Sequence, residues 1–267
     1  MRFQMQENTL RFNGAEMDYA VFGRGERPMV LIPGLSLRPL KGSAGPLAHS
    51  YRLFTKNYRV YVFDKKAPLP PSYTVEEMAE DLAEAMVRLG IRDADILGIS
   101  QGGMIAQYLA LNHPELVRRL ALGVTLSRNN DTVRAVIDRW VDMAQAGDYA
   151  GIVREIMEKM YSEKYIKKYG FLFPIILKTQ KMNDPARFVT MARACLSCDT
   201  YDRLPELRCP VLVLGGKRDQ IVTAQASEEI AQRLNCPLYL YEDLGHSAYE
   251  EGKDFNKRVY DFFKAGE

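Results

Sequence analysis

The stretch Gly98-Ile99-Ser100-Gln101-Gly102-Gly103, residues 98–103, decides how this chain is read. It follows the apolar run Ala94-Asp95-Ile96-Leu97 and precedes the helix-like run Met104-Ile105-Ala106-Gln107-Tyr108-Leu109. Glycine weakens both a strand and a helix, by roughly 0.5–1 kcal/mol relative to alanine. Its presence on both sides of a serine marks a turn that needs the missing side chains. The spacing G-x-S-x-G fits a sharp strand-to-helix turn that lifts the serine hydroxyl above a sheet. In such a turn the serine backbone is strained, and a side chain at Gly98 or Gly102 collides with a neighbouring strand or helix. The following helix aims its free N–H groups and positive dipole end at the serine, where they stabilise a developing oxyanion.

Around this turn, strands alternate with helices. Asn13-Gly14 is a hairpin signal joining Thr9–Phe12 to the alternating strand around Met17, Tyr19 and Val21. Short apolar strands are expected at Met29–Ile32, Arg59–Phe63, Ile96-Leu97, 117–124, 211–214 and Leu238–Tyr241. Thr74 with Glu77 three residues later is a capping-box pattern. It opens a helix carrying Met78, Leu82, Ala85, Met86 and Leu89 that stops at Gly90. Further helices are expected at 101–112, 223–234 and 253–264. Such alternation implies right-handed crossovers and a mostly parallel sheet. One interval breaks the rhythm: residues 124–210 are far more than a crossover needs. Val133, Val136, Ile137, Trp140 and Val141 form one helical stripe there, and Ile152, Ile156, Met157 and Met160 another. This interval reads as a helical cap inserted over one end of the sheet.

Bulk composition narrows the class. The 267 residues are 47% hydrophobic, enough for one large core or a core with an insertion. The 36 basic and 34 acidic residues balance to +2, so neither a nucleic-acid nor a membrane-surface protein is indicated. The opening residues MRFQMQENTLRF lack the apolar core of a secretion signal. The apolar run Phe171-Leu172-Phe173-Pro174-Ile175-Ile176-Leu177 is too short to span a bilayer. A cytoplasmic location is the resulting expectation. Cys195 and Cys198 form a lone C-x-x-C without the two further ligands a zinc site needs, so no metal is expected.

A serine hydroxyl needs a base to become a nucleophile. The chain has three histidines. His113 sits at a helix end, and His49 in a small, polar segment. His246 follows the last strand in Asp-Leu-Gly-His-Ser and is the candidate base. Asp219 follows Gly215-Gly216-Lys217-Arg218 beyond another strand end. There it suits the acid that fixes the imidazole tautomer. Asp243, only three residues before His246, is a weaker rival. Ser100, Asp219 and His246 thus come from three strand ends at the carboxyl edge of one sheet, where such sheets bind ligands.

At this point the chain resembles the α/β-hydrolase fold family, of the capped, serine-nucleophile type. The resemblance rests on Val30-Leu31-Ile32-Pro33-Gly34, the turn at Ser100, Asn112-His113-Pro114-Glu115-Leu116-Val117, the acid after Gly215-Gly216, and Gly245-His246. It implies an α/β architecture with a mostly parallel eight-stranded sheet flanked by helices. The core is then 1–124 and 210–267, and the cap 125–209. It implies a Ser100–His246–Asp219 triad, and an oxyanion hole made by the backbone N–H groups of Leu35 and Gln101. Relatives carry His-Gly where this chain has Pro33-Gly34. That departure keeps the backbone donor and removes a side chain that helps hold the loop. Asp64-Lys65-Lys66 followed by prolines replaces a glycine-bearing turn, which implies a stiffer loop.

The implied chemistry is hydrolysis of a small-molecule ester, or related acyl bond, through an acyl-serine without cofactor or metal. Serine at the turn disfavours the family's dehalogenases and epoxide hydrolases, which use aspartate there. Carbon–carbon, thioester or lactone cleavage and acyl transfer use the same triad and stay open. A low-turnover binding module on the same scaffold also stays open. The interval 151–181 has seven Lys or Arg against three Glu. That bias suits an anionic substrate, but a solvated helical face is the commoner cause. Met157, Met160, Tyr161, Tyr165, Tyr169, Phe171 and Phe173 suit an apolar pocket or simple packing of the cap.

Overall fold

The computed structural model describes residues 5–173, 182 and 184–265. Strands β1 (Met5–Phe12) and β2 (Ala15–Phe22) form the expected hairpin about Asn13-Gly14, longer than the sequence signal on its first arm. Six more strands follow: β3 (Arg27–Ile32), β4 (Tyr58–Phe63), β5 (Ala94–Ile99), β6 (Val117–Gly123), β7 (Val211–Gly216) and β8 (Leu238–Tyr241). They order as β1-β2-β4-β3-β5-β6-β7-β8, antiparallel at β1–β2 and β2–β4 and parallel elsewhere. The expected mostly parallel sheet of eight strands is present.

Period-two alternation sends successive side chains to opposite faces. Val30 and Ile32 of β3, Ile96 of β5, and Leu120 and Leu122 of β6 enter one apolar layer. Met29, Leu31, Leu97, Ile99 and Ala121 enter the other. The first layer is covered by α2 (Val75–Arg88), α3 (Gln101–Asn112) and α8 (Ala224–Leu234). The second is covered by α1 (Ala44–Ser50) and α10 (Phe255–Lys264), through Ala48, Phe255, Val259 and Phe263. The capping box at Thr74 and Glu77 forms in both directions. Several element bounds differ from the sequence reading by one or more residues. Strand β6 ends at Gly123 because Val124 turns to φ 45°, and α10 starts at Phe255, two residues after Lys253. Helix α1 and the short α9 (Ala248–Glu251) carry no periodic signal long enough to announce them.

Between β6 and β7 the described residues form α4 (Asp131–Gln145), α5 (Tyr149–Met160), α6 (Glu163–Tyr169) and α7 (Pro185–Cys195). Each has a side-chain N-cap: Asn130, Asp148, Ser162 and Asp184. Pro185 opens α7 where its missing N–H costs nothing. Residues 174–177 of the apolar run, with Lys178 and Lys181, lie outside the described residues. Among the described residues no helix is long and apolar enough to cross a membrane.

One ion pair ties the layers. Arg118 of β6 donates to buried Asp95 of β5 at 2.5 Å and to the Phe263 carbonyl of α10 at 2.6 Å. Removing one partner of a buried pair leaves an uncompensated charge. Arg118→Met is expected to lower the unfolding free energy by about 3 kcal/mol, read as a lower urea midpoint. Adding Asp95→Leu is expected to recover much of the loss, because both charges are then gone.

Candidate active site

Parallel register brings the ends of β3, β5, β7 and β8 to one edge, with Ile32 opposite Gly98 and Gly216 opposite Tyr241. Ser100 sits between β5 and α3 at φ 54° and ψ −120°. Such a conformation costs a non-glycine residue on the order of 1–3 kcal/mol. Four hydrogen bonds hold it. Ser100 N–H donates to the Gly123 carbonyl at 2.9 Å. The Ser100 carbonyl accepts from Thr125 Oγ1 at 2.7 Å, Gly103 N–H at 2.8 Å and Met104 N–H at 3.2 Å.

The flanking glycines are required by close approach. A Cβ on Gly98 would lie 2.6 Å from the Gly102 carbonyl oxygen, and one on Gly102 only 1.9 Å from that of Ile32. The collisions expected at both positions are therefore with neighbouring backbone. That approach also seats the loop Pro33-Gly34-Leu35 over the serine, where a Cβ on Gly34 would stand 3.1 Å from Ser100 Cβ.

His246 lies on the loop after β8, and Asp219 on the loop after β7. His246 Nε2 is 2.9 Å from Ser100 Oγ, and His246 Nδ1 is 2.8 Å from Asp219 Oδ2. A carboxylate only accepts, so it holds the imidazole proton on Nδ1. Nε2 is left to accept from the Ser100 hydroxyl. Asp219 Oδ1 accepts from the N–H groups of Ile221 and Val222 at 2.8 and 3.0 Å. Burial pushes the Asp219 carboxyl up, but His246 and these two N–H groups outweigh it and hold it below the usual range. The other candidates lie elsewhere. His113 caps α3 and meets Glu80 at 2.8 Å, His49 is exposed, and Asp243 pairs with Arg218 at 3.0 Å in solvent.

Leu35 lines the same cavity as Ser100 and His246, about 610 Å³ in volume. Gln101 begins α3, and its side chain turns away to α7, where Nε2 donates to the Met191 carbonyl at 2.6 Å. Among the described residues, neither the Leu35 nor the Gln101 backbone N–H has a protein acceptor. The inserted helices supply an apolar wall through Ile137, Trp140, Met157, Met160 and Phe188. Tyr161 lines the cavity as well; Tyr165 stacks on it at 4.4 Å, and Tyr169 meets Tyr165 at a tilt, at 4.7 Å. Phe171 is 74% exposed. The basic bias of 151–181 is a solvated face: Arg154, Lys164, Lys167 and Lys168 are exposed and none lines the cavity.

Three supports escape sequence reading. Ser247, beside His246, donates from N–H and Oγ to the Met160 carbonyl at the end of α5, at 2.9 and 2.8 Å. Glu251 bridges Ser247 Oγ at 2.7 Å and Ser162 Oγ at 2.5 Å. Asp64 joins β4 to α7, accepting from Arg187 Nη2 at 2.6 Å. All three join segments distant in sequence, so no local spacing announces them.

A family model described as alpha/beta hydrolase fold matches residues 27–151. A protein named "Putative carbamate hydrolase RutD" from Stutzerimonas stutzeri is 27% identical over 271 residues, covering 92% of this chain and 96% of that one. The enol-lactonase from Burkholderia xenovorans LB400 superposes with a TM-score of 0.82 at 23% identity, over 96% of this chain and 99% of its own. MGS-M2, an alpha/beta hydrolase from a Medee basin deep-sea metagenome library, superposes with a TM-score of 0.83 at 21% identity, over 96% and 97%.

The Gly102 contact is directly testable. Gly102→Ala drives its methyl group into the Ile32 carbonyl. It is expected to destabilise the fold by about 1–3 kcal/mol, because backbone rather than a flexible side chain has to move. Urea denaturation measures the loss, and a variant as stable as the wild type contradicts the packing described.

Proposed function

We propose that this chain, which has the α/β-hydrolase fold, is a hydrolase that cleaves a carboxylic ester, or a related acyl bond, of a small molecule through an acyl-serine. The observation that carries this reading is the continuous hydrogen-bonded series from Ser100 Oγ through His246 to Asp219, at 2.9 and 2.8 Å. His246 Nε2 takes the Ser100 proton as Oγ attacks the carbonyl carbon. The Leu35 and Gln101 N–H groups receive the oxyanion, aided by the positive end of α3. His246 then protonates the leaving group. Water, deprotonated by His246, attacks the acyl-serine and releases the acid and the free serine. Asp219 holds the imidazole tautomer and stabilises the imidazolium throughout.

The two relatives' names, carbamate hydrolase and enol-lactonase, each describe hydrolysis at a carbonyl carbon, which supports an acyl substrate. We assign residues 125–209 as the cap over a core of 1–124 and 210–267. The apolar wall that α4, α5 and α7 contribute to the cavity supports that assignment. The departure at Pro33 has a counterpart in this reading: Lys65 Nζ donates to the Pro33 carbonyl at 3.2 Å and steadies the loop that relatives hold otherwise.

Intact mass after treatment with a fluorophosphonate probe tests the nucleophile. One adduct is expected on the wild type and none on Ser100→Ala, with ester hydrolysis by the variant reduced about ten-thousand-fold or more. Full ester hydrolysis by Ser100→Ala overturns the scheme. A folded wild type that takes no adduct favours the binding-module reading. Asp219→Asn is expected to keep the adduct site but to lower kcat on the order of ten-thousand-fold, because an amide no longer dictates the imidazole tautomer. A steady-state assay at neutral pH reads that loss.

A further inference from the structure

The cavity wall is largely apolar, with a few charged residues among its lining. Among the described residues, Lys65 and Arg187 line it beside one carboxylate, that of Asp64. That carboxylate is already committed. Asp64 Oδ1 accepts from Arg187 Nη2 at 2.6 Å and from the Lys65 backbone N–H at 2.8 Å, and Oδ2 accepts from Leu40 N–H at 2.8 Å. Lys65 is only 9% exposed, and among the described residues its ammonium makes one hydrogen bond, to the Pro33 carbonyl at 3.2 Å. An ammonium carries three donors. Burying one without a dedicated counter-charge or full hydrogen bonding is costly, and stability alone does not call for it. The cost is reduced when an anion arrives. Lys65 is among the residues that line the cavity holding Ser100.

We propose that Lys65 receives a carboxylate carried by the substrate, so that the preferred substrates bear an anionic group besides the scissile acyl bond. This rests on the serine-hydrolase reading above. Arg187 on the same wall is paired with Asp64, so Lys65 is the charge left to meet the substrate. The apolar walls accept the carbon chain between the two ends. A charge-assisted hydrogen bond formed away from bulk water then separates carboxylate-bearing esters from their neutral counterparts. Burial lowers the Lys65 ammonium to about 8, against the pull of Asp64. The charged and titratable groups that face it are Asp64, Arg187 and Cys195. The Cys195 thiol is itself pushed up to about 12 by burial. Lys65 is therefore charged at neutral pH and loses its proton as pH rises through about 8.

The test compares mono-4-nitrophenyl glutarate with 4-nitrophenyl pentanoate, esters of equal acyl carbon count with and without a terminal carboxylate. The readout is the ratio of their kcat/KM values, in which effects common to Ser100 and His246 cancel. In the wild type at pH 7 the ratio is expected to favour the glutarate by about tenfold or more. Lys65→Met is expected to bring it near unity, and Lys65→Arg to retain part of it. Without any substitution, the wild-type ratio is expected to fall as pH rises past about 8, since kcat/KM reports the free enzyme. A wild-type ratio near unity overturns the inference. So does a Lys65→Met variant with an unchanged ratio, which leaves Lys65 only its hold on Pro33. Fluorophosphonate labelling of the same samples separates the two readings. An adduct without a carboxylate preference overturns this inference alone, and no adduct overturns the serine-hydrolase reading and this inference with it.

Discussion

The Ile32 carbonyl oxygen stands 1.9 Å from where a Cβ on Gly102 would be, and the functional geometry depends on that approach. Only with both flanking glycines bare do β3, β5 and α3 come together closely enough for the chain to reverse within one residue. That residue is Ser100, at positive φ, with its carbonyl and N–H fully engaged by Thr125, Gly103, Met104 and Gly123. Surrounding bonds over-determine the strained conformation, which is how such strain persists in a folded protein. The same approach lays Pro33-Gly34-Leu35 over the serine and leaves the start of α3 pointing at it. Ser100, the facing loop and the helix terminus are thus one packing event.

The inserted helices do more than cover this edge. The loop that carries His246 is bound at Ser247 to the last carbonyl of α5, and Glu251 ties the same point to the start of α6. Asp64 binds α7 to the end of β4 through Arg187, and Gln101 reaches α7 from the start of α3. The position of the imidazole therefore depends on helices α5 and α6, which lie far from it in sequence. These ties are partly buried, where hydrogen bonds to carboxylates are stronger than in water. A cavity wall and the alignment of the site are held by the same side chains.

Much of this was legible in the chain. The alternation of strands and helices, the hairpin at Asn13-Gly14, the capping box at Thr74 and the turn at Ser100 are each set within a few residues. Local backbone preference and side-chain period suffice to read them. Chain order alone brought Asp219 and His246 to the same sheet edge as Ser100, because parallel strands leave their following loops on one side. Other signals left two readings open. The basic residues of 151–181 suited an anionic substrate or, more commonly, a solvated face; those described are mostly exposed, and the sequence cannot say which helical face turns inward. Of seven cap aromatics and methionines, Met157, Met160 and Tyr161 reach the cavity.

By itself, then, the sequence determined the order of the strands and the longer helices of the sheet layers, the strained turn and the three residues that meet there, because each depends on local conformation or on topology that follows from alternation. Only the tertiary structure decided which charges face the cavity. Lys65 and Asp64 lie in a loop after β4, and Arg187 in α7 more than a hundred residues later, with no spacing to relate them. Their encounter is set by how the inserted helices pack onto the sheet edge. That packing is a sum of many non-local apolar contacts, and its outcome is not written in any one segment of the chain.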